Sequence, residues 1–413
     1  MTIVVDTPNG VYVRRVPHAI PLPEGIEPGS GAEEATQEAA AIWGLPDFVY
    51  RPIVVRAGSG ARELGDRILL VGDSAVVIQV KSRQGGVGDP DREERWARKA
   101  TAKAVRQAKG TVRRLLASPV KLQNGRGREI EVTGADYRWL AVVVLDHNGL
   151  PDGLTIEHGA GDLPCMVLLR RDWDFLFGQL RSTHAVVQYL NRVAAMDARP
   201  LGEEPVRYYE LAADDLATPA KSIDPRVLGK SGVTSSVPIL PQAPAGHDDR
   251  QAHRLLRIIL EDIATSPVSG EATEGDRIRV LAEIDSLPVA QRTALGQLLF
   301  EMMDQVVQAP DGQTMWRFRS FVTPDGRLQL GFGACTRFGP EIQGAFGYWA
   351  MLRHHQRAQD LGKAHDLVTV GVLLTPRYDG LRPWDTTMAR VAGDLALTAD
   401  ELARLLKLWG DRP

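Results

Sequence analysis

Glu63, Asp66, Gln79 and Lys81 bring two carboxylates, an amide and an amine into one short stretch of the chain. Acidic and amide oxygens are hard ligands suited to Mg2+ or Mn2+. On this reading Asp66, Gln79 and the backbone carbonyl of Val80 hold the metal, with Glu63 at the rim of the pocket. Such a metal polarises a phosphate and lowers the pKa of bound water. A lysine beside it can position or activate that water, or stabilise charge on the phosphate. This is the equipment for phosphodiester hydrolysis.

The elements that must position these groups are two strands and a turn. Ile68–Val71 and Ala75–Lys81 are apolar runs, separated by Gly72-Asp73-Ser74. Side chains alternate along a strand, so Val77, Gln79 and Lys81 share one face and Val76, Ile78 and Val80 the other. With Asp73-Ser74 as a two-residue loop, Gly72 pairs with Ala75 and residue 66 faces residue 81. Asp66 and Lys81 would then stand roughly 5 Å apart at Cβ, with Gln79 one diagonal step away. Glu63 joins them if it ends a helical turn. A plainer reading uses the same residues: an ordinary cross-strand ion pair between Asp66 and Lys81, and a solvated Gln79. Asp73 reads as a turn residue, and is the substitute metal ligand if Asp66 is misplaced.

Glu63, Asp66 and Gln79-Val-Lys81 resemble the core motif of the PD-(D/E)xK, restriction-endonuclease-like superfamily. The pattern there is an acid on the first helix, Asp on one strand and (Glu/Asp/Gln)-x-Lys on the next. Two departures stand out. No Pro precedes the Asp, and Gln79 replaces the usual acid, as in the Mrr-like branch, leaving the site one negative charge poorer. The resemblance implies an α/β fold, a restriction-endonuclease-like mixed sheet flanked by helices. It also implies a Mg2+- or Mn2+-dependent nuclease of bacterial defence, acting on DNA or RNA, with a protein partner in a defence complex. The alternative is a catalytically inactive nuclease-like subunit that binds nucleic acid or protein.

Beyond Lys81, Ser82-Arg-Gln-Gly-Gly-Val-Gly88 reads as a loop in which Arg83 and the glycines could approach a phosphate backbone, or simply turn the chain. Asp89 then caps a helix with Pro90 at its first position. Trp96, Ala100, Ala104, Ala108 and Val112 recur every four residues, a narrow stripe for packing on a sheet. The rest of the helix carries Arg92, Arg95, Arg98, Lys99, Lys103, Arg106, Lys109, Arg113 and Arg114, opposed after the cap only by Glu93 and Glu94. A charge run commonly means a solvated face. Beside this motif it also fits a phosphate-binding face, and Arg95, Arg98, Lys99 and Arg106 are expected to touch phosphates without reading bases. Trp96 and Gln107-Ala-Lys-Gly110 resemble a pattern in restriction-like effectors in which the Gln approaches the active site. A helix–sheet hydrogen bond is the other reading of Gln107.

The 413 residues carry a net charge of −3, so any basic footprint must be local. Length and composition suit more than one domain. We expect the nuclease domain over 1–213, a Pro/Ser/Gly-rich linker over 214–250, and a C-terminal α+β recognition or regulatory domain over 251–413. The two cysteines, Cys165 and Cys335, exclude a disulfide framework and a Cys-based zinc site and fit a reducing cytoplasm. No apolar run has transmembrane length and no signal-peptide pattern opens the chain, so no membrane partner is expected. Glu33–Trp43 reads as a helix closed by Gly44 and as one candidate for the acid-bearing helix. Strands are expected at 11–16, 129–132, 139–145 and 166–169, and helices over 171–198. Asp146-His147 ends the 141–145 strand, either as a second acid/base site or as a turn before Asn148-Gly149. In the C-terminal part, helices are expected at 253–263, 289–307 and 341–361. A hairpin is expected around Thr323-Pro-Asp-Gly326, a buried strand at 367–374, and a last helix behind the capping box Thr398-Ala-Asp-Glu401. His354-His355 reads as a solvated helix face.

Overall fold

The computed structural model describes residues 1–7, 10–19, 21–22, 25–53, 67–83, 88–157, 162–217, 247–268, 272–287, 289–323, 326–362, 366–377 and 383–410. They fall into two compact units, one ending in the helix that closes at Ala217 and one beginning at His247. Glu63 and Asp66, the glycine loop 84–87 and most of the expected linker lie outside the described residues.

The first unit contains, in order, β1 (Thr2–Thr7), β2 (Gly10–Arg15), α1 (Pro28–Trp43), β3 (Val49–Pro52), β4 (Arg67–Val71), β5 (Ser74–Ser82), α2 (Pro90–Ala117), β6 (Val120–Asn124), β7 (Glu129–Val132), β8 (Arg138–Asp146), β9 (Cys165–Leu169), α3 (Arg170–Leu180), α4 (Thr183–Val193) and α5 (Glu204–Ala217). β1 and β2 pair with each other. The others form a seven-stranded mixed sheet in the order β7-β6-β3-β4-β5-β8-β9. β3, β4 and β5 run antiparallel, whereas β5, β8 and β9 run parallel. A parallel neighbour requires a crossover, and α2 supplies the helix between β5 and β8.

The sheet is covered on both faces, and each strand of the β4–β5–β8 core is therefore almost wholly apolar. One face carries Val77, Ala141, Val143 and Leu145, packed on Ala97, Ala104, Ala108 and Val112 of α2. The small α2 side chains let the helix axis approach the strands closely. The other face carries Ile78 and its partner Arg67, whose guanidinium reaches Gln37 and Glu33 of α1. Trp173 of α3, fully buried, donates its indole N–H to the Thr36 carbonyl of α1 and locks that layer.

The second unit contains α6 (His247–Thr265), α7 (Glu274–Asp285), α8 (Val289–Val307), β10 (Trp316–Val322), β11 (Leu328–Cys335), α9 (Pro340–Leu361), β12 (Val368–Pro376), β13 (Trp384–Ala392) and α10 (Ala399–Trp409). Its four strands form one sheet, β10-β11-β12-β13, with β11 and β12 parallel. The expected capping box at Thr398 forms, with Glu401 and Thr398 each accepting from the other's backbone N–H.

Several expectations change. α5 runs to Ala217 and α6 starts at His247, so residues 214–217 and 247–250 are helix rather than linker. β6, β13, α5 and α7 were not expected. His354 is not solvated: it is buried, between the Thr369 hydroxyl at 3.0 Å and the Gly393 carbonyl at 2.7 Å. Among the described residues no helix is long and apolar enough to cross a membrane.

Candidate functional site

The β4–β5 hairpin turns one step earlier than expected. Val71 pairs with Ser74 and Arg67 with Ile78, so the loop is Gly72-Asp73. Gly72 adopts φ 59°, and glycine at the first central position of a type II′ turn does this without steric cost. The register in which residue 66 faces Lys81 is therefore not the one formed. The shift is two residues between partners, an even number, so no side chain changes face. Gln79 and Lys81 remain on the α2 side, level with Val143 and Leu145 of β8.

Gln79 is 1 % exposed, and its amide nitrogen is buried with no hydrogen-bond partner among the described residues. A buried amide left unpaired costs about 1–3 kcal/mol. Thr101 of α2, on the same layer's packing stripe, likewise has a buried hydroxyl without a partner. Lys81, two residues on, is only partly buried and marks where this face opens at the carboxyl end of β5. Asp73 lies at the other end of β5, exposed and ion-paired with Arg138 at 2.8 Å, which removes it as a substitute metal ligand. α1 is not the acid-bearing helix of this pocket: Glu33 is turned to Arg67, on the opposite face of the sheet.

The buried stripe of α2 is rotated from the expected one. It consists of Glu93, Ala97, Thr101, Ala104, Ala108, Thr111, Val112 and Leu115, and Trp96 and Ala100 are only partly buried. Gln107 is exposed and does not approach Gln79, which corrects both expectations for it. All nine basic residues of the helix are exposed. At 100° per residue they lie within an arc of about 160° centred opposite the buried stripe, and Arg92 to Arg114 spans about 33 Å. Of the two acids expected to oppose them, Glu94 pairs with Arg98 at 2.7 Å and Glu93 points inward. The outer face is thus more one-sided in charge than the sequence count suggests.

Glu93 is part of a polar cluster at the carboxyl ends of β5 and β8 that sequence reading missed. Its carboxylate lies 2.8 Å from His147 Nε2 and 3.2 Å from the Arg83 guanidinium. His147 Nδ1 lies 3.1 Å from the Arg83 carbonyl, and its ring meets Trp96 edge-on at 5.1 Å. The Arg83 guanidinium also covers the Trp96 ring. Arg83 is therefore engaged by Glu93 and Trp96 rather than extended from a loop. Gly88 leaves room for this carboxylate, since a Cβ there would come within 2.8 Å of Glu93 Oε1. The available signal was positional: Glu93 precedes Ala97 by one turn on the apolar stripe, where an acid needs a buried partner. On the other face Asp146 accepts from Arg170 at 2.9 Å. The expected Asp146-His147 site is thus a strand end with both side chains already paired.

On this strand the groups that could meet a divalent cation are the Gln79 amide oxygen and the Val80 carbonyl oxygen, both neutral. Among the described residues no group of three or more His, Cys, Asp or Glu side chains could hold a metal ion. A hard cation would need the carboxylates that the sequence places at 63 and 66. No family model matches the chain, and neither a curated protein nor a solved structure matches it.

Proposed function

We propose that the first unit is a nuclease of restriction-endonuclease-like type, which binds nucleic acid along the outer face of α2 and hydrolyses phosphodiester bonds beside Lys81. The observation that carries this reading is the placement of Gln79 and Lys81 on one face of β5, with the Gln79 amide nitrogen buried and without a hydrogen-bond partner among the described residues. A purely structural glutamine in an apolar layer would be expected to have found a partner. Mg2+ or Mn2+, held by Asp66, Gln79 and the Val80 carbonyl, would polarise the scissile phosphate. The Lys81 ammonium orients the attacking water or balances phosphate charge, and the α2 cations hold the backbone in place. Defence against foreign nucleic acid is the setting the resemblance adds.

The test uses the full chain with labelled DNA and RNA, single- and double-stranded, in Mg2+ or Mn2+ and in EDTA. We expect cleavage that EDTA stops and that folded Lys81→Ala lacks. Cleavage that survives EDTA, or persists in Lys81→Ala, would overturn the assignment. One observation favours a second reading, an inactive nucleic-acid-binding subunit: the donor at 79 is neutral where the motif usually carries an acid. Binding without cleavage under every condition, with no gain in Gln79→Glu, would establish it.

A further inference from the structure

The chain leaves the parallel strands of the larger sheet in opposite directions. After β5 it passes to α2, on the face that carries Val77 and Gln79. After β9 it passes directly to α3, which packs with α1 on the face that carries Arg67 and Ile78. β8 lies between β5 and β9, so its carboxyl end sits at the point where the connections diverge. In open α/β sheets such switch points form ligand crevices.

A cleft of about 760 Å³ is found there, within the size range of small-molecule sites. Its lining combines the guanidinium-bearing Arg83, Arg170 and Arg171 with the apolar Leu22, Leu150 and Leu201. Arg170 is 5 % exposed, and its Nη1 is buried without a hydrogen-bond partner; Asp174 Oδ2 lies 3.8 Å from it, beyond hydrogen-bond reach. The first turn of α3 begins at Arg170 and adds the positive end of a helix, capped in part by the Asp172 carboxylate, which accepts from the Leu169 N–H. Asp146 and Asp152 are the carboxylates among the cleft's described lining; Asp146 shares the Arg170 charge, and Arg171 lies 3.9 Å from the Asp172 carboxylate behind the cleft. Gln79 and Lys81 do not line this cleft.

We propose that the cleft binds a nucleoside phosphate. The phosphate lies against Arg170, Arg171 and the start of α3, and the base against the leucines. Guanidinium groups and a helix amino end recognise phosphate, and the apolar lining takes the flat face of the base. This site is separate from the one proposed for hydrolysis.

The test is calorimetric titration of the full chain with AMP, GMP, CMP and UMP, beside adenosine and inorganic phosphate. At least one nucleotide is expected to bind roughly tenfold or more tightly than either fragment. Arg171→Gln should weaken that binding about tenfold, the scale of one charge-assisted hydrogen bond, and Arg170→Lys, which keeps the charge but loses the guanidinium fork, serves if Arg171→Gln does not fold. Asp152→Asn should strengthen it severalfold. Lys81→Ala should leave it unchanged, so this proposal and the hydrolytic one fail independently. No binding of any of the four, equal binding of inorganic phosphate, or indifference to the arginine variants would overturn the assignment.

Discussion

The two units share a local arrangement, a hairpin, a helix and a strand parallel to the hairpin's second strand, which in the first unit alone is interrupted by β6 and β7 between the helix and the parallel strand. In the first unit this is β4–β5, α2 and β8; in the second it is β10–β11, α9 and β12. Each places a buried glutamine on the strand under the crossover helix. Gln329 of β11 stands opposite Thr369 of β12, whose hydroxyl lies 3.3 Å from the amide oxygen and 3.0 Å from His354 Nδ1. The chain continues from His354 Nε2 to the Gly393 carbonyl. Gln79 of β5 stands opposite Val143, which offers nothing to its amide. Around Gln329 the layer is sealed: a Cβ on Gly331 would collide with the Trp349 ring, and one on Gly371 with Phe346. One glutamine is thus a link in a structural network, and the amide nitrogen of the other has no hydrogen-bond partner among the described residues.

Exchanging each glutamine for leucine breaks or sharpens that contrast with the largest effect. Gln79→Leu removes an amide whose nitrogen is unpaired among the described residues and should leave the melting temperature level or raised. If Gln79 serves the site, cleavage should fall at least about a hundredfold, as when one preorganised polar group is removed. Gln329→Leu should do the reverse: full cleavage, with a stability loss of about 1–2 kcal/mol because the Thr369–His354 pair loses its end. Thermal melts and cleavage rates of both variants decide it. Equal behaviour would erase the distinction between the two units.

The two crossover helices give the next contrast. α2 turns nine exposed cations outward, whereas α9 packs Phe346 and Trp349 on its strands and presents no such ridge among its described residues. Reversing Arg95, Arg98, Lys99 and Arg106 to Glu should weaken binding to all nucleic-acid sequences alike. It should also flatten the slope of log affinity against log salt by about 0.9 for each duplex phosphate that is no longer neutralised. Anisotropy titrations at several salt concentrations measure this. An unchanged slope would make α2 a solvated face.

What was legible in the sequence follows period and punctuation. Alternation alone put Gln79 and Lys81 on one face, and the Asp89-Pro90 and Thr398 caps located their helices. The hairpin register was not legible, because two loops were open to Gly72-Asp73-Ser74 and only the backbone of Gly72 chose between them. β6 is polar and short, and it becomes a strand by pairing with β3 and β7. His354 looked like a surface residue because its partners, Thr369 and Gly393, are distant in sequence. Glu93 and His147, fifty-four residues apart, escaped for the same reason.

The smallest expected effect separates the units by pH. Asp172 of α3 is buried, and burial raises its carboxyl to about 7 despite N–H groups of Leu169 and Gly202 bonded to it. Arg171 opposes that rise and Glu204 adds to it. A carboxyl raised on folding favours the protonated form, so its contribution is complete below the ordinary value near 3.8 and is lost as pH rises toward about 7. Glu204, itself raised by burial despite Arg207 and the Tyr189 hydroxyl, acts in the same direction. In the second unit burial lowers His354, although Asp394 and the Gly393 carbonyl favour its charged form; His355 adds to the lowering. A histidine lowered on folding contributes above its ordinary value of 6.5 and loses that contribution as pH falls below it. Hydrogen exchange resolved by segment should therefore show the first unit weakening from about pH 4 to about pH 7, and the second weakening below about pH 6.5. Asp172→Asn should flatten the first profile in part, because Glu204 remains, and His354→Gln should flatten the second. Both units weakening together in the same direction would show that these two buried groups do not control the pH response.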